Sequence, residues 1–527
     1  MSELAGTTTL IRFILRRDRV RILVWVGAIA ALVVLTAASV KGLYPTQADL
    51  DEAAAATHDN AGAIAFNGPD QALDTIGGQV AFQVGTIGLI AVALMSTFMA
   101  GRETRAEEEA GRLDLVRAMA VGRHAPAAAA LIVVAGMNLV LGALVMLGLL
   151  GLDLPAAGAF AFGVSFIALG LVFAGVATLA AQVTENTRVA YGMSGGMLGV
   201  AFVLRAVGDI GDGTLSWFSP IGWAQKARPF AGERWWPLLI AAGCTVGLLA
   251  GAVALTTHRD VGAGLVPPRP GPSRAVPSLG RPLGLAFRLQ RGSVIGWSVA
   301  LFITGIAYGS IANDVEDFVG DNETIQDVVA PSGGASLTDS YLSRSLLIAA
   351  LIATGYAISS ALRLRSEETA LHAEPVLATP ISRRRWAASQ LAITLAGSVV
   401  VLTASGLGTG LAYGLAAGDL GQVPRLVGAA LTYTPAVLVL VGLATALFGL
   451  VPRAVLVPWG LLAACFIVGM LGEVLDLPAW IEDLSPFEQT PLLPGDDLAV
   501  VPLAVLAAVA AALTLAGLAG FRRRDVG

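Results

Sequence analysis

Twelve apolar stretches, each about long enough to cross a bilayer, constrain this chain more than any motif it carries. A spanning helix needs about 20 mainly apolar residues. Runs of that order occupy residues 22–40, 80–100, 125–150, 157–181, 189–207 and 237–257, and after an interruption 294–311, 342–362, 387–416, 426–451, 455–471 and 498–520. Of the 527 residues 55% are hydrophobic and 13% are charged, against about 25% charged in a soluble domain. Such a chain cannot hide its apolar surface in water, and it is too hydrophobic to stay disordered. The expected fold is an all-α polytopic membrane protein of about 12 transmembrane helices.

The charges between the runs set an orientation. If loops alternate sides, one set holds Arg12, Arg16, Arg17, Arg19, Arg21, the 102–123 segment, Arg188, the 259–291 region, the 363–385 segment, Arg453 and the 522–524 arginines, which is most of the basic residues. The other set holds Lys41, Arg205, Lys226, Arg228, Arg234, Arg344 and Arg425 among many acids, including Asp314, Glu316, Asp317, Asp321, Glu323 and Asp327. The positive-inside bias then predicts a multi-pass plasma-membrane protein with both termini in the cytoplasm. The first apolar run is too long for a typical signal-peptide core, so it reads as a span. The net charge of −5 argues against nucleic acid as a partner.

The two halves of the chain repeat one another. Arg16, Arg19 and Trp25 correspond to Arg288, Arg291 and Trp297; Glu107, Glu108, Ala110, Asp114, Ala118 and Arg123 correspond to Glu367, Glu368, Ala370, Glu374, Ala378 and Arg383. Arg188 matches Arg453, and Ser219-Pro220 matches Ser485-Pro486 before the last run of each half. Four anchors in one order imply two parallel six-helix repeats related by an axis along the membrane normal, with a pathway expected between them. The predicted organisation is a first six-span half over 1–258, a cytoplasmic linker over 259–281 and a second half over 282–527. Prolines 267, 268, 270, 272 and 277 make that linker an extended spacer.

The segments after the second run of each half are the most charged parts of the chain. Helical spacing places Glu108 four residues before Arg112 and Arg105 four before Glu109, with Leu113, Val116 and Ala120 as an apolar edge. A short amphipathic helix at the cytoplasmic face is expected, and its recurrence offers two equivalent docking elements to a symmetric motor. The chain lacks a motor of its own: a phosphate-binding loop needs a Lys after a glycine-rich turn, and the two lysines, Lys41 and Lys226, have no such setting. Four scattered histidines, His58, His124, His258 and His372, and the isolated Cys244 and Cys465 offer no metal site or nucleophile-base pair. The chain is therefore not expected to be an enzyme, and no metal or cofactor is expected in it.

Ionisable residues are nearly absent from the run interiors, which weakens the alternative of a proton-coupled secondary multidrug transporter. Phe82, Gln83, Met95 and Phe98 in the first half, with Tyr308 and Tyr356 in the second, are candidate pathway residues for a hydrophobic or amphipathic cargo, although each also serves ordinary helix packing. Ser219, Pro220, Ser485 and Pro486 are candidates for an outer gate, with Trp217, Trp223, Trp235 and Trp236 as interfacial anchors. Glycines at four-residue spacing, Gly192, Gly195, Gly196 and Gly199 and then Gly410, Gly414 and Gly418, are expected to bring helices close together.

These features resemble the permease subunits of type-2 ATP-binding-cassette (ABC) exporters, and within them the fused twelve-span actinobacterial permeases for polyketide antibiotics, the tetronasin-resistance type. The likeness runs the length of the chain: a basic amphipathic helix before the first span of each half, the Glu-Glu segment ending in a small-residue turn and Arg123 or Arg383, and the Ser-Pro element before each sixth span. The resemblance implies that Glu107, Glu108, Arg112 and Asp114, with Glu367, Glu368 and Glu374, form coupling helices against a cassette ATPase. It also implies two copies of that ATPase binding ATP and magnesium, multidrug or antibiotic export, and contact with membrane lipids and a lipophilic small molecule. Reversing Glu108 and Glu368 to Arg should then uncouple transport and leave the membrane fold intact. The first copy has Gly111-Arg112 where the second has Leu371-His372, so the two docking sites need not be equivalent.

Overall fold

The computed structural model describes residues 3–58, 61–256, 262–267, 273–312, 336–471 and 478–524. Among them all regular structure is helical, and eleven helices are long and apolar enough to cross a membrane. The chain divides into two compact units, Met1–Gly271 and Pro272–Gly527.

In the first unit a helix over Thr7–Arg17 leads into the first span, Arg19–Leu43. The others follow at Ile76–Gly101, Ala125–Gly151, Ala156–Val183, Thr187–Ile210 and Trp236–Thr256, where the apolar runs place them. Polar residues stop and start these helices. Thr75 accepts from the Gly78 N–H at 3.0 Å and Asn186 accepts from the Arg188 N–H at 2.9 Å, satisfying amide groups that a helix start leaves unpaired. The second and fourth spans form the core, with 72% and 67% of their apolar windows buried, whereas the first and sixth bury only 28% and 22% and present apolar side chains outward. Glycine permits the closest approaches: a Cβ on Gly142 would lie 2.7 Å from the Gly163 carbonyl oxygen. Asn138 ties the third span to the second by donating to Ser96 Oγ at 2.9 Å.

The second unit repeats the order with two differences. Its spans begin with Pro282–Ile311, Leu337–Ala361 and Arg383–Ala416. The fourth apolar run forms two helices, Gln422–Thr432 and Thr434–Leu450, interrupted at Tyr433. Pro435 lies in the first turn of the second piece and has no N–H to return to Leu431, so the hydrogen-bond ladder is interrupted there although Tyr433 itself keeps right-handed helical geometry. Of the fifth run 15 helical residues are described, Val457–Leu471, bordering the undescribed residues 472–477; they give about 22 Å of rise against a hydrocarbon core of about 30 Å. It is this run that separates the eleven spans observed from the twelve expected. The sixth span is Val500–Arg523.

The glycine rows behave differently from expectation in one half. Cβ atoms on Gly410 and Gly414 would come within 2.8 and 2.9 Å of backbone atoms, so these two do carry close packing, while Gly418 occupies a left-handed turn at φ +70. At Gly192, Gly195, Gly196 and Gly199 an added Cβ would meet nothing within 4 Å, so these four pack against none of the described residues. A close backbone contact instead joins Thr434–Leu450 to the last span, where a Cβ on Gly517 would collide with the Thr445 carbonyl oxygen and one on Gly449 with that of Gly517. Since backbone cannot yield as a side chain can, Gly517→Val is expected to cost about 3 kcal/mol, measured as a lower thermal midpoint in nanodiscs; an unchanged midpoint would refute the contact.

Of the linker, residues 262–267 run without helix and hydrogen-bond to the end of the fourth span, Leu265 N–H to Gln182 O at 3.1 Å and Val266 N–H to Val183 O at 3.0 Å. Pro277–Gly280 makes a single tight turn. Pro268, Pro270, Pro272, His258 and the acids from Asp314 to Asp327 lie outside the described residues.

Candidate functional site

The up-and-down path of the spans brings the start of the first and the end of the second to one end of the first unit, and the charges there interlock. Asp18, with a fully buried side chain, receives Arg17 Nε at 2.8 Å, Arg21 Nη1 at 2.6 Å and Arg102 Nε at 3.0 Å. Arg17 continues to Glu103 at 2.6 Å and to Glu107 at 3.1 Å, and Glu107 receives Arg112 at 2.8 Å. Burial alone would raise the Asp18 carboxyl, but hydrogen bonds from Arg17 and Arg21 and the charge of Arg102 outweigh it and hold the group down at about 2. Asp18 thus remains an anion at any physiological pH and fixes the leading helix to the second span.

The segment that follows is not one continuous helix. A π-helical turn over Arg102–Ala106 and a left-handed Gly111 at φ +69 divide it, so Arg105 pairs with Glu108 at 2.9 Å and Arg112 with Glu107, not the partners that uninterrupted helical spacing predicts. Arg105 and Glu108 together hold the peptide just beyond the sixth span: Arg105 Nη2 donates to Gly262 O at 2.6 Å, and the Gly262 N–H donates to Glu108 Oε1 at 2.8 Å. Glu109 accepts from the Thr187 N–H at 2.8 Å, at the start of the fifth span, where a negative charge is favoured. Asp114 is exposed on the short helix Arg112–Arg117.

The second unit builds the same clamp from equivalent residues. Arg365 pairs with Glu368 at 3.0 Å, as Arg105 does with Glu108, and Glu367 pairs with His372 at 3.3 Å, as Glu107 does with Arg112. Glu368 also receives Arg524, immediately after the last span, and Arg524 lies over the Phe448 ring at 5.1 Å from its centroid. The repeat anchors Arg123 and Arg383 take equivalent work: Arg123 donates to Thr256 O at 3.1 Å and Arg383 to Arg524 O at 2.6 Å. In each unit, therefore, the segment after span two grips the end of span six. Glu374 is exposed on Ala373–Leu377. The Gly111/Leu371 difference is a difference of strain: Leu371 adopts the same left-handed conformation at φ +60. Since a side chain there costs about 1–2 kcal/mol and glycine loses part of that gain to chain entropy, Leu371→Gly is expected to stabilise the protein by up to about 1 kcal/mol, seen as a raised thermal midpoint.

Glu108 and Glu368 are both nearly buried and occupied within their own unit, so reversal to Arg would set like charges together and disturb the fold as well as any coupling. What the two loops present outward is Leu115 at 72% exposure, Met119 at 69% and Leu371 at 59%, rimmed by Arg112, Asp114, His372 and Glu374.

The pathway candidates are scattered. Met95 is buried in the first unit's core, and Gln83 is half-buried. Phe98 is 40% exposed and packs between Trp25 and Tyr191, with ring centroids at 6.3 and 5.3 Å. Phe82 borders a small cavity at the opposite end of the unit from Glu107. Tyr356 is buried beside Trp297 at 6.4 Å, and Tyr308 is half-buried. The gate candidates Ser219, Pro220, Ser485 and Pro486 are all buried. Ser219 donates to Ala201 O at 2.6 Å and caps the short helix Pro220–Gln225, while Trp217 stacks on Trp236 at 4.9 Å and lies under Lys226.

Sequence reasoning missed Arg17, Asp18, Glu103 and Arg524 as site residues. The signal available was an Asp inside the arginine cluster before the first span and a Glu at the end of the second, charges placed where a lone ion would be costly.

Against known proteins, a family model described as the C-terminal domain of the multidrug efflux system permease Rv1217c matches residues 279–522. The whole chain is 42% identical over 529 aligned residues to the multidrug efflux system permease protein Rv1217c of Mycobacterium tuberculosis strain H37Rv, an alignment covering 100% of this chain and 96% of that protein.

Proposed function

The chain belongs to the family of the multidrug efflux system permease Rv1217c, and from that membership we propose that it is the permease subunit of an ATP-driven type-2 ABC exporter of the tetronasin-resistance kind. It would carry hydrophobic or amphipathic compounds, antibiotics among them, out of the cell through the plasma membrane, with both termini in the cytoplasm. The observation that carries the reading is the paired clamp: one charged segment after the second span of each unit, gripping the end of the sixth span through Glu108 or Glu368.

Two copies of a cassette ATPase, binding ATP and magnesium, would dock on the outward face of these segments, Leu115, Met119 and Leu371 seating in their surface and Arg112, Asp114 and Glu374 completing the charged rim. Movement of the docked segment would pass through Arg105–Glu108 to the peptide at Gly262, and through Glu368 to Arg524, thereby shifting span six. The force is supplied by nucleotide, which must bind the two conformations of the complex with different affinity for the equilibrium to move. The ion pairs transmit that bias; as buried, multiply bonded charges they are stiff connections that do not slip under load. Glu107 and Glu367 would hold the two short helices of each segment at a fixed angle.

A mild-detergent pull-down of the tagged chain from native membranes, with protein identification and an ATPase assay, tests the proposal. Recovery of a cassette ATPase at about two copies per chain, with hydrolysis stimulated by lipophilic antibiotics, is the expected result. Recovery of the chain alone, with solute movement driven by a proton gradient, would replace this reading with the secondary transporter.

A further inference from the structure

A cavity of about 40 Å³ opens between the second and fourth spans of the first unit, at the end opposite the charged clamp. Its floor is apolar, formed by Phe82, Leu89 and Phe162; its rim carries Gln225, Arg228 and Pro229. The rim is chemically unfinished. Gln225 Nε2 is engaged, donating to Thr86 Oγ1 at 2.7 Å and to Asn67 O at 3.3 Å, but its Oε1 is buried and accepts nothing. The half-buried Arg228 guanidinium makes no hydrogen bond or ion pair with another described residue.

The backbone holds Arg228 there at a cost. Arg228 at φ +51 and Phe230 at φ +65 are both left-handed, with Pro229 between them, and two such residues are expensive unless the surroundings enforce them. Phe230 supplies the enforcement. Its ring fills space left by two glycines, Gly77 and Gly158, where an added Cβ would collide with it. The turn is therefore locked between two spans with a cation at the cavity mouth and apolar side chains behind it.

From this arrangement we propose that the cavity binds the anionic end, a carboxylate or phosphate, of a small amphiphile, with Arg228 pairing the charge and Phe82, Leu89 and Phe162 receiving the start of its chain. The volume sets the scale: one water-sized group takes roughly 10–15 Å³ by this measure, so the cavity admits about three such groups, a headgroup and not a whole drug. A protonated acid or a hydroxyl would satisfy Gln225 Oε1 but leave Arg228 without a counter-charge; a carboxylate meets Arg228 alone, and a singly protonated phosphate meets both, its anionic oxygen at Arg228 and its O–H donating to Gln225 Oε1. The amphiphile's source is either a free acid or a membrane lipid, and the site stands independently of any ATPase partner.

The test uses the full chain in phosphatidylcholine nanodiscs, titrated by calorimetry with hexanoate, hexanol and hexylammonium. Hexanoate is expected to saturate one site per chain and to bind at least about ten-fold more tightly than hexylammonium, the scale of a charge-assisted hydrogen bond. Arg228→Asn, a residue that tolerates the left-handed backbone, should remove that preference, and Arg228→Lys should retain it. Gly85→Ala narrows the cavity with only ordinary contact to Phe162 at 3.6 Å and should weaken all three probes without unfolding the helices. If hexanoate does not bind, but phosphatidylglycerol is retained through purification by the native chain and lost from Arg228→Asn, the site is a lipid site of the same chemistry. Binding or retention that is indifferent to Arg228 in both arms overturns the proposal. Because no arm reads efflux or ATP hydrolysis, failure here and failure of the exporter reading are separate results.

Discussion

Leu115→Asp combined with Leu371→Asp is expected to leave the permease folded in the membrane and to remove the proposed ATPase partner. Both leucines stand out from the loops after span two, 72% and 59% exposed, so neither supports the packing of its unit. Leu371 is left-handed, a conformation Asp tolerates better than Leu. An apolar side chain that anchors an interface as one of its few hot spots contributes about 2 kcal/mol or more, and a buried carboxylate in its place adds a desolvation cost. Loss of both should weaken docking by more than about a hundred-fold, enough that the ATPase no longer copurifies and efflux falls to the level of a deletion strain. Glu108→Gln with Glu368→Gln provides the contrast. It preserves shape and one acceptor at each clamp while removing the charge, so the partner should still copurify while transport per ATP declines. An ATPase that stays bound to the leucine double variant at native stoichiometry would place the docking surface elsewhere on the chain.

The two predictions separate what the sequence makes visible from what only the fold reveals. The spans were legible because a bilayer demands long apolar runs, and ten of the twelve runs gave continuous spanning helices. The break at Tyr433 follows from the Pro435 beside it and so was within reach. The repeat was legible for the same reason that it is structural: Arg123 and Arg383, chosen as anchors by spacing alone, make equivalent bonds to the ends of their sixth spans.

Partnerships were the illegible part. Glu108 is bonded to a glycine 154 residues further along the chain, and Arg17 to a glutamate 86 residues away; no local periodicity encodes either. The i,i+4 pairs expected from helical spacing fail because a π-helical turn over Arg102–Ala106 resets Arg105 and because Gly111 turns left-handed, a choice glycine permits, and Leu371 shows that the turn persists even where the residue opposes it. The fold imposes the turn, and the sequence of the second copy yields to it. The Gly192–Gly199 row shows the converse error: small residues permit close packing and do not compel it.

Arg205 is where removal of one side chain should most damage the first unit. It lies in the fifth span, fully buried, and donates to the backbone oxygens of Ile64 at 3.1 Å and Phe66 at 3.2 Å, with Asp209 at 3.8 Å and the Phe202 ring at 4.8 Å. The helix Ala61–Asn67 is thereby fastened to a span more than a hundred residues later. Arg205→Leu fills similar space but strands Asp209 as a buried charge and removes two carbonyl bonds, leaving Phe66 O without the guanidinium donor while Ile64 O keeps the Gly68 N–H at 2.9 Å. Breaking a buried pair from one side costs about 3–5 kcal/mol, so the thermal midpoint should fall sharply and expression with it. Arg205→Leu with Asp209→Asn should recover a large part of that loss, because Asn can still accept from Ser216, which now bonds Asp209 at 2.5 Å, while no net charge remains buried. Arg205→Lys should fall between, since a single ammonium cannot span both carbonyls as a planar guanidinium does. Were the single Leu variant as stable as the native chain, the cation would have no part in holding Ala61–Asn67; were the double variant no better than the single, the loss would lie in the missing bonds to Ile64 and Phe66 and not in the stranded charge.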